Sequence, residues 1–95
     1  MRIAVLALLA TGCLTNNISG QWTGCDPGDQ IYVSVPNDAA DWFACEEGEF
    51  DLGVATTGDF ALRFERDDAT GEQIEYFEIR LAGVDGDRDI GLVEF

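Results

Sequence analysis

The sequence predicts an all-β fold: a small antiparallel sandwich that follows a cleavable signal helix. Three observations carry that expectation. Apolar and polar residues alternate with period two along much of the chain after Gln21, and clusters of Gly, Asp, Asn and Pro interrupt the alternation at short intervals. The length, 95 residues, leaves room for one domain with a modest core.

The elements can be justified in order. Residues 13–20 are short and polar, with Asn16, Asn17 and Ser19, and read as a tether ahead of a domain over residues 21–95. Trp22 and Thr23 begin a first strand. Ile31, Val33 and Val35 alternate with Tyr32 and Ser34, and Pro36-Asn37-Asp38 ends that run as a turn. Residues 38–47 are ambiguous: Asn37 or Asp38 could cap a two-turn helix closed by Gly48, but a strand through Trp42 to Cys45 is favoured. Phe50 to Val54 reads as another strand. Phe60, Leu62 and Phe64 face one way, with Ala61, Arg63 and Glu65 facing the other. After the turn Asp67 to Gly71, Ile74 to Leu81 returns with Phe77, Ile79 and Leu81 on one side, which makes a hairpin. Gly83 to Asp87 breaks the pattern, and Ile90 to Phe95 forms a last short strand.

Charge and composition restrict the chemistry. Five cations face 19 acids, a formal net of −14, and there is no His. The five cations are all Arg, so a Ser-His-Asp or Cys-His triad, a histidine metal site and a Schiff-base lysine are excluded. A field of this sign repels phosphate backbones, and nucleic acid is not an expected partner. The acid clusters Glu46-Glu47-Glu49 and Asp67-Asp68 read as solvated turns rather than a general acid/base pair, so no enzymatic activity is expected.

Met1 and Arg2 supply a minimal positive start, Ile3 to Ala10 an apolar run, and Thr11 and Gly12 small residues, the layout of a secretory signal. The run is about eight residues, against roughly twenty needed to span a bilayer as a helix. With Cys13 next, "IAVLALLATGC" resembles the lipobox signal of bacterial lipoproteins, although Ala10 stands where that signal most often has Leu. The resemblance implies removal of residues 1–12, acylation of Cys13 with a glyceride and fatty acids such as palmitate, and anchorage in the cell envelope. Leu14, in place of the aspartate associated with inner-membrane retention, implies outer-membrane sorting in a Gram-negative cell. Membrane lipid is then one partner, and an envelope protein or a glycan is a second.

Setting Cys13 aside leaves Cys25 and Cys45 as an even pair in a compartment where disulfides form. They lack the Cys-x-x-Cys spacing of a redox motif, so a structural bridge is expected. Asp85, Asp87 and Asp89 alternate as in the first half of an EF-hand loop, but Ile90 stands where the turn glycine is needed. They are weak calcium candidates; no metal or cofactor is expected. Trp22, Trp42, Phe43, Tyr32 and Tyr76 are core candidates first and a sugar-stacking face second.

Gly58-Asp59-Phe60-Ala61-Leu62, the turn Asp67 to Gly71 and Asp89-Ile90-Gly91-Leu92-Val93 resemble the carboxypeptidase regulatory-like or transthyretin-like sandwich of exported bacterial proteins. An immunoglobulin-like sandwich would show similar patterns. The resemblance implies a structural or binding role and carries no catalytic residues.

Overall fold

A computed structural model describes residues 15–95; the expected signal segment, residues 1–12, and Cys13 lie outside the described residues. Seven strands follow in chain order: β1 (Asn16–Thr23), β2 (Gln30–Val35), β3 (Ala39–Ala44), β4 (Glu49–Val54), β5 (Gly58–Asp67), β6 (Gln73–Val84) and β7 (Arg88–Glu94). A single 3-10 turn, Cys45–Glu47, lies between β3 and β4. The strands form two packed sheets, β4-β1-β7 and β3-β2-β5-β6, so the chain is the small all-β sandwich that its alternation predicts. No helix among the described residues is long and apolar enough to cross a membrane.

The hairpin β5/β6 is the backbone of the larger sheet. Phe60 pairs with Leu81, Leu62 with Ile79 and Phe64 with Phe77, so the inward sets of both strands meet across the ladder. The turn after β5 is tied by Asp68, whose Oδ1 accepts hydrogen bonds from the Thr70 and Glu72 amides. Phe64 is fully buried and forms the centre of an aromatic cluster: its ring stacks on Phe77 at 5.2 Å and meets Phe50 edge-on at 5.5 Å. Trp22 stacks on Phe50 at 5.7 Å and donates its indole N–H to the Cys45 carbonyl at 3.0 Å. The opposite half of the core is mainly aliphatic, with Ile18, Leu62, Val54 and Val84 buried.

Two expectations are corrected. Residues 16–20 are not a tether. They are the first half of β1, which is central in its sheet, and Ile18 is fully buried. β4 on one side and β7 on the other satisfy its backbone polar groups, while Asn17 and Ser19 alternate away from the core. The sandwich is also not wholly antiparallel, because β1 and β7 run parallel. That pair carries a bulge where Gly20 lets the Gly91 carbonyl and the Phe50 ring come close; a Cβ at Gly20 would lie 2.9 Å from each.

The ambiguous segment resolves as the favoured strand, β3, which ends at Ala44 before the 3-10 turn. Asp38 does not cap a helix. Its carboxylate accepts the Ala55 and Thr56 amides at 3.0 and 2.7 Å and so ties the β2/β3 turn to the β4/β5 connection. Within that turn Asn37 takes φ 62° after Pro36, as a type II turn requires, and the Asp38 amide closes on the Val35 carbonyl at 3.1 Å.

Candidate functional site

The outward face of the larger sheet gathers the most distinctive side chains. Period-two alternation sends Tyr32 outward because Ile31 and Val33 point into the core. Register then builds a row across four strands, in which Trp42 pairs with Tyr32, Tyr32 with Glu65, and Glu65 with Tyr76. The Trp42 and Tyr32 rings lie 4.7 Å apart, tilted by 45°. Trp42 is 47% exposed and Tyr76 49%, so two large rings are half open to solvent. Of the five aromatics picked from sequence, this face uses Trp42, Tyr32 and Tyr76. Trp22 is a core residue, and Phe43 packs partly buried against Trp22 and Phe50.

Carboxylates border the row. Gln30 pairs with Ala44 and Asp67, which places Asp67 two residues beyond Glu65 on the same side of β5. Burial first, then the charge and hydrogen bonding of Asp67, push the Glu65 carboxyl above its ordinary range. The Asp67 Oδ1 is occluded and accepts no hydrogen bond from any described residue; Glu65 can donate to Asp67 once it takes up a proton. Asp68 behaves oppositely, since hydrogen bonds from the Thr70 hydroxyl and the Glu72 amide hold its carboxyl low. A surface groove of about 410 Å³ runs between Trp42, Gln30, Asp67 and Asp68. A second groove, about 500 Å³, lies on the other side of Tyr32 and reaches Arg63. At that end Arg63 is taken up by Glu78 at 3.0 Å, and Tyr76 donates its hydroxyl to the same carboxylate.

The remaining sequence candidates separate. Cys25 and Cys45 form a disulfide with Cα atoms 6.1 Å apart, which joins the β1/β2 loop to the 3-10 turn. Asp85, Asp87 and Asp89 do not converge. Asp87 accepts the Asn17 amide at 2.9 Å, Asp89 accepts the Gly91 amide at 2.8 Å, and no metal-binding group of acids is found among the described residues. Asp87 is thus engaged in the turn ahead of β7 and Asp89 at the start of that strand.

Arg66 and Asp29 form the buried centre of an ion cluster. Arg66 faces inward at the aromatic end of the core, where its Nε donates to Asp29 at 2.8 Å and its guanidinium reaches Glu75 at 3.1 Å and Asp26 at 3.6 Å. Asp29 is held low chiefly by the Asp26 amide; burial opposes this, and Arg66 adds a hydrogen bond and its charge. Because the Asp29 carbonyl also accepts the Cys45 amide, the cluster clamps the disulfide loop onto β5. The sequence matches no family model and no curated protein.

Proposed function

We propose that the protein is a small lipid-anchored lipoprotein of the bacterial outer membrane, held through acylated Cys13, with a non-enzymatic structural or interaction role. The observation that carries this reading is the Cys25–Cys45 disulfide, which uses two of the three cysteines and leaves Cys13, at the end of the lipobox-like run, as the third. The early start of the fold gives such an anchor a geometric consequence. Asn16 lies three residues beyond Cys13, a span of at most about 11 Å of extended chain. An anchor there would hold the end of the sandwich formed by residues 36–38, 55–57 and 85–87 close to the bilayer, with the disulfide end turned away.

A non-catalytic role is supported by the residue set: with no His and no Lys, acid/base chemistry would fall to carboxylates or tyrosines, and the coupled pair Glu65 and Asp67 sits on one strand rather than across a cleft. Replacing Cys13 by Ser tests the anchor. The variant should move from the membrane fraction to the soluble exported fraction; equal retention in the membrane would overturn the proposal. A ligand-binding role for the outer face, toward an envelope glycan or protein, is favoured by the half-exposed Trp42 and Tyr76.

A further inference from the structure

We propose that the open edge of β6 pairs antiparallel with β6 of a second copy of this chain, on a two-fold axis through Ile79, joining two four-stranded sheets into one. The pairing gives the interaction role above a partner and does not depend on the anchor. β6 is the longest strand, at 12 residues, and among the described residues it has β5 on one side and no strand on the other. The other edges are shorter or blunted. β3 and β4 have 6 residues each, the Asp41 carboxylate takes the Trp42 amide of β3 at 2.8 Å, and Asp89 takes the Gly91 amide of β7 at 2.8 Å. On β6 the one amide bonded to a side chain among the described residues is that of Gly83, near its end.

What selects a second copy is the match of β6 to itself. Its ladder with β5 is unbroken from Glu75 to Leu81. An antiparallel pair keeps inward residues opposite inward ones, so the two-fold passes through a residue. Centred on Ile79, Phe77 lies opposite Leu81 of the second copy and Ile79 opposite its own counterpart. Phe77 and Ile79 are only partly buried, because four strands face three, and the added strand gives them cross-strand neighbours. On the outward side Glu78 meets Arg80 of the second copy at two symmetric places. Arg80 is in no ion pair among the described residues. Arg63 and Tyr76 both bond Glu78 through Oε2, which leaves Oε1 for the incoming guanidinium. Centred on Glu78 or on Arg80, the same strands would set like charges face to face. The net charge of −14 on each copy opposes association, but at physiological salt charges more than about 8 Å apart are largely screened. Antiparallel pairing sends the two Asn16 ends in opposite directions, so upright copies anchored through Cys13 would pair across two facing bilayers and not within one.

The exported Cys13→Ser chain, oxidised and free of lipid, tests the pairing apart from the anchor. Sedimentation equilibrium at about 0.15 M salt should show monomer and dimer in exchange, and dilution of the isotopically labelled chain should shift the amides of Phe77 to Leu81. Arg80→Gln should weaken association about fivefold, since the two-fold loses two ion pairs at once, whereas Gln21→Glu, the same charge change on the other sheet, should weaken it less than about twofold. Arg80→Glu and Glu78→Arg chains should each remain monomeric and should pair when mixed. A parent chain that stays monomeric up to about 1 mM would overturn the proposal. So would equal losses for Arg80→Gln and Gln21→Glu, shifts confined to β3 or β7, or no pairing in a mixture of the two folded charge-reversed chains.

Discussion

Replacing Arg66 by Met should destabilise the domain by about 3 kcal/mol, the low end of what loss of one partner from a buried ion pair costs. The low end applies because the contacts are unequal. Asp29 is 5% exposed and Arg66 14%, so their 2.8 Å bond is desolvated, whereas Glu75 and Asp26 are 36% and 80% exposed and add little. The Asp26 amide also remains to support the Asp29 carboxylate. For a domain of this size such a loss lowers the melting temperature by about 12 to 24 °C. The pH dependence follows from the depressed Asp29 carboxyl. Its stabilisation is present above its unfolded value, about 3.9, and is lost as pH falls through the folded value. Without Arg66 the buried charge is less well compensated, so the deficit of the variant should be largest at neutral pH and narrow toward pH 3. Pairing Arg66→Met with Asp29→Leu should recover most of the loss. Urea and thermal unfolding followed by circular dichroism at pH 7 and pH 3, with the disulfide oxidised, measure all of this. A deficit below about 1 kcal/mol, or one of equal size at both pH values, would refute the clamp.

Three other outcomes are expected. Reducing the Cys25–Cys45 bridge, which closes a loop of roughly 21 residues, should cost on the order of 3 kcal/mol in urea titrations; an unchanged midpoint would mean the loop is held without it. Gly20→Ala should lower stability by about 1 to 3 kcal/mol, because its Cβ meets backbone as well as the Phe50 ring, and this is read as a fall in melting temperature. For Glu65 the folded carboxyl lies above its unfolded value, so its penalty is absent below the unfolded value and grows as pH rises through the folded one. Glu65→Gln should therefore melt higher than the parent at pH 7 and no higher at pH 3.

The parts of the fold legible in the sequence are those where alternation and turn chemistry agree locally. The hairpin of Phe60 to Leu81 announces itself because both strands carry three inward apolar residues and the turn between them holds Asp68 and Gly71. The first half of β1 does not. "NNISG" offers a single inward apolar residue, Ile18, and the positions in phase with it are Asn16 and Gly20, so a buried central strand carries the composition of a linker. Its parallel partner β7 stands some seventy positions later, and no local pattern encodes that pairing. For the outer face, the direction of Tyr32 follows from its neighbours, but the row that joins it to Trp42, Glu65 and Tyr76 needs the strand order. The Arg66–Asp29 clamp is equally hidden, because its partners lie 37 residues apart in loop and strand.

Intact-mass measurement of protein extracted from membranes tests the proposed anchorage most directly. The expected species is the 83-residue chain left after residues 1–12 are removed from the 95, starting at Cys13. It should carry a glyceride and fatty acyl groups on Cys13, with Cys25 and Cys45 oxidised to one another. A mature N-terminus elsewhere, or an unacylated Cys13, would contradict the anchor and with it the orientation of the domain on the membrane.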